Sequence, residues 1–386
     1  MEAVIIDGVR TPIGLGHPEK GWLRKVRGDD LGVVAVKALL ERTSADPTVV
    51  EDVIFGCATQ TGEQAMNVAR YMALMAGLPY EVAGQTINRQ CASGMTALHA
   101  AAQAIKAGCG DVFIAGGLES MSHLPEGTGA DLNPRRFDFA DPSAASMGLT
   151  AENLARAYGI SRREQEEFAL WSHRRAVATQ REGRFRAEMA PVGAPQDSGA
   201  PQLVCRDQLP REDASLEVMA ALPLITHEGG TITIATACRP GDGAAALLVM
   251  SAGKAREMGL RPLARIRAMA VAGVDPKLMG LGPVPAARKA LARVGLQAQD
   301  IDLWEVNEAF AVVPLVFIKE MRIDSERLNV NGGVLALGHP MGCTGARMVV
   351  TLLHEMVRRQ ARLGLAALCV GMGQGVSTII ERYEGS

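Results

Sequence analysis

Three short glycine-marked segments, spread over most of the 386-residue chain, carry the residue types needed for nucleophilic acyl chemistry. They are Asn-Arg-Gln-Cys-Ala-Ser-Gly around Cys91, Gly-His-Pro-Met-Gly around His339, and Cys-Val-Gly-Met-Gly beginning at Cys369. A thiol at the start of a helix, with an imidazole available to take its proton, is suited to forming a covalent acyl intermediate. The pattern therefore predicts an enzyme that works through a cysteine nucleophile.

Each candidate side chain has a role that follows from its predicted position. Cys91 follows a strand-like run and precedes a helix, so we expect helix-end amides and the helix dipole to favour its thiolate and to bind an oxyanion. His339 lies on a glycine-flanked turn, where it can take the proton of Cys91 or polarise a carbonyl. Cys369 offers a second thiol that can move protons at carbon. Asn307, in an Asn-Glu-Ala-Phe turn, offers an amide that can orient water or a carbonyl.

Taken singly, each of these residues also has an ordinary structural explanation. Free cysteine is among the most buried residue types, so Cys91 or Cys369 alone would suit a protein core. A lone Gly-His-Pro is usually just a turn, and Asn307 alone would suit a helix cap. It is the joint occurrence of these residues, at equivalent places in a repeat, that favours chemistry.

The two ends of the chain repeat one order of elements: strand, glycine turn, buried helix, strand and second glycine turn. The N-terminal copy comprises residues 52–56, the Cys91 turn, 95–105 and 111–117, and the C-terminal copy comprises 302–306, the His339 turn, 346–353 and 365–370. A repeat of this kind predicts a duplicated α/β unit. If the halves pack as pseudo-twofold mates, the turns of Cys91 and His339 face one another.

The stretch between the two halves has a different character. Residues 126–143 are rich in Gly, Pro, Asn and Asp and predict an irregular covering loop. Helices are predicted from Ala151 and from Ser161, where Glu164 completes a capping box, and residues 191–213 predict extended chain or short strands. A long insertion beside an active-site turn commonly forms a substrate lid. The predicted domains are an N-terminal half (1–118 with 239–262), an inserted lid (119–238) and a C-terminal half (263–386).

Composition narrows the class of protein. A chain that is 48% hydrophobic and 21% charged is expected to fold, and a net charge of −2 gives no general electrostatic reason to bind nucleic acid or an anionic membrane. No apolar run approaches the length of a membrane span, and the N-terminus lacks the features of a secretion signal. Seven scattered cysteines without a Cys-x-x-Cys pair argue against a disulfide framework or a zinc site. We therefore expect a cytoplasmic protein without a metal.

The sequence resembles the thiolases from one end to the other. The matching segments are Arg-Thr-Pro-Ile-Gly at 10–14, the nucleophile segment at 88–94, Met-Gly-Leu-Thr-Ala-Glu-Asn at 147–153, Asp-Gly-Ala-Ala-Ala at 242–246, Asn-Glu-Ala-Phe at 307–310, Asn-Val-Asn-Gly-Gly at 329–333, and residues 338–345 and 369–375. One such motif would be weakly diagnostic, but all of them in order are highly specific.

The resemblance implies a five-layered αβαβα fold with the lid inserted in the N-terminal half, and a ping-pong reaction on coenzyme A (CoA) thioesters. Cys91 would attack the keto carbon of a 3-ketoacyl-CoA with His339 keeping the thiol activated, and Cys369 would protonate the departing carbanion. Free CoA would then take the acyl group from Cys91. One implied oxyanion site uses His339 and a water held by Asn307, and the other uses the backbone amides of Cys91 and Gly371. CoA is a substrate here, and no cofactor is implied.

Two segments depart from the family pattern. Residues 237–241 read Ala-Cys-Arg-Pro-Gly, where the family commonly has Ala-Ser-Gly or a similar small polar stretch. Cys238 takes the serine position that usually touches the pantetheine arm of CoA, and Arg239 adds bulk and charge beside it. Residues 222–226 read Leu-Pro-Leu-Ile-Thr instead of the usual Leu-Arg-Pro-x-Phe. Cys238 and Met147 are the residues that we expect to contact CoA.

The leading interpretation is a degradative 3-ketoacyl-CoA thiolase of fatty-acid β-oxidation. Ser146 precedes Met147 where short-chain biosynthetic members usually carry histidine, and Gln90 also resembles the degradative members. The alternatives are an acetoacetyl-CoA thiolase working in the condensing direction, or a non-catalytic acyl-CoA-binding homologue. The resemblance further implies a homodimer or tetramer, with a hydratase–dehydrogenase subunit as a possible partner.

Overall fold

The computed structural model describes residues 1–383, the side chain of Phe137 apart, and its strands and helices follow the predicted order. The strands are β1 (Ala3–Arg10), β2 (Gly14–Leu15), β3 (Asp52–Gly56), β4 (Ala83–Ile87), β5 (Val112–Ser120), β6 (Val192–Ala194), β7 (Gln202–Val204), β8 (Gly241–Ser251), β9 (Ala264–Gly273), β10 (Leu303–Val306), β11 (Leu363–Val370) and β12 (Gln374–Arg382). The helices are α1 (Gly28–Thr43), α2 (Val68–Met75), α3 (Ser93–Ala107), α4 (Met147–Tyr158), α5 (Arg162–Arg181), α6 (Leu216–Ala220), α7 (Ala252–Glu257), α8 (Pro283–Arg293), α9 (Val312–Met321), α10 (Val334–Leu337) and α11 (Met341–Arg359).

Strand pairing confirms that the fold is a duplication. One half runs β1-β8-β5-β3 and the other runs β9-β12-β11-β10. In both halves the first two pairings are antiparallel and the third is parallel. The N-terminal half has an additional parallel strand, β4, at its outer edge. The half-sheets of the two halves meet where β1 pairs with β9, through the pairs Val4–Arg265 and Ile5–Ala264.

Hydrophobic residues between the sheets explain the layered arrangement. Helices α3 and α11, one from each half, pack against each other and share one buried apolar cluster with residues of both sheets. A second cluster joins α1 and α2 to the outer face of the N-terminal sheet. A third joins α5, α8 and α9 to the C-terminal sheet. The helical and sheet layers therefore alternate, which is the αβαβα order expected from the sequence.

Glycines allow the two central helices to approach closely near their starts. A β-carbon on Gly94 would lie 2.8 Å from the carbonyl oxygen of Gly342, and one on Gly345 would lie 2.6 Å from the backbone nitrogen of Met95. Real β-carbons essentially never approach heavy atoms so closely. Because α3 follows the Cys91 turn and α11 follows the His339 turn, this contact places the two turns beside each other.

The inserted segment forms helices and short strands, largely as predicted. The capping box of Ser161 and Glu164 is present at the start of α5, and β6 and β7 pair within residues 191–213. The expected start of α4 at Ala151 is wrong by four residues, because Ser146 accepts a hydrogen bond from the Leu149 amide and caps the helix at Met147. Within residues 1–383, no helix is long and apolar enough to cross a membrane.

Candidate active site

Cys91 lies in a single 3-10 turn between β4 and α3, and its neighbours hold that turn in place. Asn88 Oδ1 accepts the Gln90 amide at 2.8 Å, and Ser93 Oγ donates to the Gln90 carbonyl at 2.6 Å. Gln90 itself has a positive φ of 46°, a conformation that is uncommon outside glycine. The polar residues on both sides of Cys91 thus fix the turn that carries it, and the residue as a whole is partly exposed.

The surroundings of Cys91 do not favour its resting thiolate, so that expectation is wrong. Burial is the main cause that raises the pKa of the Cys91 thiol well above its usual value, and the nearby Cys369 and Glu126 raise it further. A hydrogen bond from the backbone opposes this shift but does not overcome it. The thiol is therefore protonated near neutral pH and needs a base to become a nucleophile.

His339 has the protonation state and the free nitrogen that such a base requires. Burial, and secondarily Arg347, lowers the pKa of His339 to about 4, so its imidazole is neutral at pH 7. Thr344 Oγ1 lies 2.8 Å from His339 Nδ1 and donates its own proton to the Pro340 carbonyl at 2.9 Å. The hydroxyl must then accept from Nδ1–H, which assigns the tautomer. Nε2 is buried, makes no hydrogen bond within the described structure, and is left as a proton acceptor.

Cys369 and Asn307 form a second polar pair at the ends of β11 and β10. Asn307 Nδ2 donates to Cys369 Sγ at 3.6 Å, and the Asn307 amide donates to the Ala367 carbonyl at 3.0 Å. Burial raises the pKa of Cys369 to about 11, with the Asn307 contact opposing the shift. Asn307 Oδ1 is buried and makes no hydrogen bond within residues 1–383. The amide can therefore still bind one further polar group.

The turns that carry these residues contact one another. The Cys91 turn packs against α11, which begins two residues after His339, and against β11, which ends just beyond Cys369. A β-carbon on Gly371 would lie well inside the contact distance of the side-chain oxygen of Gln90, so the segments of Gly371 and Gln90 are in close contact. The sequence prediction that Cys91, His339, Cys369, Asn307 and Gly371 belong to neighbouring turns is consistent with this packing, and their catalytic roles stay predictions.

The two residues expected to contact CoA also lie near this centre. The Cys238 amide donates to the Ala309 carbonyl at 3.0 Å, two residues beyond Asn307. Burial raises the pKa of Cys238, and the neighbouring Cys369 adds to that shift. Met147, the first residue of α4, packs against the apolar cluster that contains Cys369. Their contact with CoA stays a prediction.

Glu119, which could not be identified from the sequence, connects the start of α11, just after His339, to the segment that follows β3. Its buried carboxylate accepts hydrogen bonds from the amides of Ala58 at 2.9 Å and Gly342 at 2.8 Å, and from Gln64 Nε2 at 2.7 Å. The Gly342 bond ties the start of α11 to the N-terminal half. The only sequence signal was an acidic residue near the end of a buried apolar strand.

Glu308 plays a similar part beside Asn307. Its buried carboxylate accepts from Ser172 Oγ and Asn329 Nδ2, both at 2.7 Å, and from the Leu335 amide at 3.1 Å. These partners come from the inserted segment and from the C-terminal half. Glu308 therefore fixes the turn in which Asn307 presents its amide.

A cleft of about 590 Å³ opens on one side of the segment that carries Cys238. Residues 208–214 form one wall, and Ile234, Ala235 and Arg239 form part of the other. Val218, Met219 and Leu222 add apolar surface. The cleft thus combines apolar walls with two arginines, Arg211 and Arg239, and two acidic residues, Glu212 and Asp213.

A protonated thiol, a neutral imidazole with a free nitrogen, a second thiol and a buried amide define a layered α/β enzyme of cysteine-dependent acyl transfer. The chain belongs to the thiolase family. The thiolase N-terminal domain matches residues 3–253, and the thiolase C-terminal domain matches residues 260–382.

Curated and solved relatives extend over the whole chain. It is 46% identical to the 3-ketoacyl-CoA thiolase of Marinobacter nauticus over 386 residues, covering 99% of this chain and 98% of that one. The crystal structure of the Bacillus anthracis acetyl-CoA acetyltransferase is 41% identical with a TM-score of 0.90, and human mitochondrial 3-ketoacyl-CoA thiolase is 36% identical with a TM-score of 0.91. Each structural match covers 99% of both chains. These similarities confirm the thiolase fold predicted from the sequence.

Proposed function

We propose that this protein is a 3-ketoacyl-CoA thiolase, which uses CoA to cleave a 3-ketoacyl-CoA into acetyl-CoA and a shortened acyl-CoA. The observation that carries the proposal is the neutral His339 with its free Nε2, in a turn beside that of the protonated Cys91. Simple acyl-CoA binding has no need of a base or of the second thiol, Cys369. The names of relatives at 45–48% identity support the same substrate class.

The first half-reaction forms the acyl-enzyme. Cys91 Sγ transfers its proton to His339 Nε2 as it attacks the keto carbon, and the amides of Cys91 and Gly371 stabilise the resulting oxyanion. The bond between the α and keto carbons then breaks, and its electron pair leaves on acetyl-CoA as an enolate. His339 and a water held by Asn307 Oδ1 stabilise the enolate oxygen, and Cys369 gives its proton to the carbon. The products are acetyl-CoA and an acyl group on Cys91.

The second half-reaction returns the enzyme to its starting state. The imidazolium of His339 first restores the proton that Cys369 has lost. The thiol of CoA then gives its proton to His339 while its sulfur attacks the acyl carbonyl, and Cys91 leaves as a thiolate. This thiolate takes the proton back from His339. Protein side chains and the two substrates supply every proton and electron pair, so the scheme requires no metal or redox cofactor.

The pH profile of the first half-reaction follows from the protonation states. Below about pH 4, protonated His339 cannot accept a proton, and above about pH 11, ionised Cys369 cannot donate one. We expect kcat/KM for a 3-ketoacyl-CoA to be nearly constant from about pH 5 to about pH 10. Initial rates in buffers of constant ionic strength, with circular dichroism to verify folding, measure this profile. An acid limb near 6.5, the ordinary value for histidine, would contradict the buried neutral base.

The length of the acyl chain separates the two catalytic alternatives. A condensing acetoacetyl-CoA thiolase is the second candidate, because the acetyl-CoA acetyltransferase of Bacillus anthracis is similar over 99% of both chains. We infer a degradative role in fatty-acid β-oxidation, in which turnover rises from short to long 3-ketoacyl-CoAs. Loss of keto-thioester absorbance on addition of CoA measures each substrate. Activity confined to acetoacetyl-CoA would favour the second candidate, and no turnover at any length would refute both.

An open sheet edge supports a homodimer as the working assembly. Strand β4 pairs with β3 on one side, and its other side has no strand partner among the described residues. Exposed apolar and aromatic side chains lie nearby, including Met66 (78% exposed), Tyr71 (53%) and Tyr80 (85%). Such an edge is normally covered, and we infer that a second copy of the chain covers it. Sedimentation velocity should give twice the chain mass, and Tyr71→Arg should lower it. A monomeric wild-type protein would contradict this assembly.

Two further expectations concern the cellular setting. The scheme requires Cys91 and Cys369 as free thiols, so we propose a reducing compartment such as the cytoplasm. A hydratase–dehydrogenase subunit is the proposed partner, because enzymes of those reaction classes make 3-ketoacyl-CoAs.

A further inference from the structure

Arg239 is an unpaired cation in the cleft beside the catalytic centre. Its side chain is partly buried, and within residues 1–383 its guanidinium makes no hydrogen bond or ion pair. Arg211 lines the same cleft. Two acidic residues line the cleft as well: Glu212, which is paired with Arg181 at 2.7 Å, and Asp213, which forms no hydrogen bond or ion pair with Arg239. A partly buried cation that lines a cleft and has no protein partner is available to bind an anionic ligand.

The main chain of Arg239 is held rigidly by the catalytic segments. Its carbonyl accepts the His339 amide at 2.8 Å, and the Pro240 carbonyl accepts the Gly16 amide at 2.9 Å. On the other side, the Cys238 amide is bonded to Ala309. Only the side chain of Arg239 is therefore left free to adjust to a ligand. A fixed base of this kind lowers the entropic cost of ordering the guanidinium on binding.

We propose that Arg239 binds a phosphate group at the nucleotide end of CoA, an inference that rests on the proposed function. A guanidinium matches phosphate oxygens in a two-point contact. Arg239 lies in residues 237–241, the segment in which this chain departs from the small polar stretch that is common in the thiolase family. Arg239 would thus supply a phosphate contact that a small residue at this position cannot make.

The residues that line the cleft favour a CoA phosphate over a carboxylate on the acyl chain as the ligand of Arg239. An acyl chain must begin at Cys91, but none of Cys91, His339 and Cys369 is among the residues that line the cleft. The phosphates of CoA, in contrast, lie at the far end of the pantetheine arm from the thioester sulfur. Cys238, the expected contact of that arm, directly precedes Arg239 in the chain. The nucleotide end can therefore lie in the cleft while the sulfur is at Cys91.

Calorimetric titration of the full-length protein with CoA tests the role of Arg239. We expect Arg239→Gln to weaken CoA binding by about 10- to 100-fold, the usual range for a lost charge-assisted hydrogen bond, and Arg239→Lys to retain most of the affinity. Arg174→Gln is the matched control, since Arg174 is an arginine of α5 that lines a different groove. It should bind CoA as the wild type does.

Titration with dephospho-CoA identifies the phosphate. If Arg239→Gln weakens CoA and dephospho-CoA equally, the contact is to the pyrophosphate, and if it weakens only CoA, the contact is to the 3′-phosphate. Unchanged binding of CoA to Arg239→Gln would overturn the proposal, as would equal weakening in the glutamine and lysine variants or no binding to the wild type. Because binding is measured without turnover, an inactive protein with Arg239-dependent binding would refute the thiolase function alone.

Discussion

Cys91→Ala is expected to lower kcat for thiolysis by roughly 10⁴- to 10⁶-fold, the scale on which removal of a nucleophile acts when it works as a unit with its base. Without the thiol no acyl-enzyme forms. Because Cys91 is partly exposed and alanine is the smaller residue, the variant is expected to fold. His339 would then have no proton to accept from the enzyme. Steady-state cleavage of a 3-ketoacyl-CoA at saturating CoA measures the loss.

Cys238→Ser is the matched control for this substitution. Cys238 is also a free cysteine near the catalytic centre, but the scheme gives it no proton or acyl group to carry. We expect the serine variant to retain the reaction, with any change appearing in KM for CoA. A Cys91→Ala protein that still becomes labelled by substrate, or a Cys238→Ser protein that does not, would contradict the choice of nucleophile.

His339→Ala is expected to lower kcat by about 10²- to 10⁴-fold, the usual contribution of a positioned base. The remaining activity should rise with pH, because the high pKa of Cys91 leaves very little thiolate without a base. The wild type should instead be nearly independent of pH over the same range. Initial rates of both proteins from pH 7 to pH 10 measure the difference.

His123→Gln controls for the loss of an imidazole elsewhere. His123 is outside the site and lies 3.0 Å from Glu63 through its Nδ1. We expect this variant to keep the wild-type rate and pH dependence. If His339→Ala retained full activity with a constant pH profile, His339 would not be the base.

Local signals in the sequence were sufficient to predict the fold. A glycine turn after an apolar run marked the end of β11, and Gly108 ends α3 in the left-handed conformation with φ 76°. The glycine turn expected at the end of residues 111–117 is wrong, because Gly116 and Gly117 pair with β8 and the strand β5 continues to Ser120. Strands, turns and helices could each be predicted from neighbouring residues. Their identical order in the two halves then indicated the duplication. The residue pattern alone put the start of α4 at Ala151, since Ser146 is a weak cap signal until its bond to the Leu149 amide is seen. The segment at residues 147–153 that resembles the lid-helix start of the thiolases does begin the helix.

The electrostatics of the site depend on distant residues, so they could not be predicted locally. The pKa of Cys91 is raised because segments far apart in the chain enclose it, whereas the sequence showed only a helix start. Glu119 and Gly342 are 223 positions apart, and Glu308 meets Ser172 across 136. The hydrogen-bond partners described above for Glu119 and Glu308 do not lie two, three or four residues away in the chain, so no local pattern could indicate them. Only the packed structure shows that they position the catalytic turns.

The most direct test of the central claim is to locate the acyl group. The protein is mixed with a 3-ketoacyl-CoA without added CoA, quenched in acid, digested and analysed by mass spectrometry. The scheme predicts that the peptide containing Cys91 gains the mass of the shortened acyl group and loses it when CoA is added before the quench. An acyl group on the peptide of Cys238 or Cys369 instead, or no acylated peptide while the substrate is being cleaved, would contradict the account.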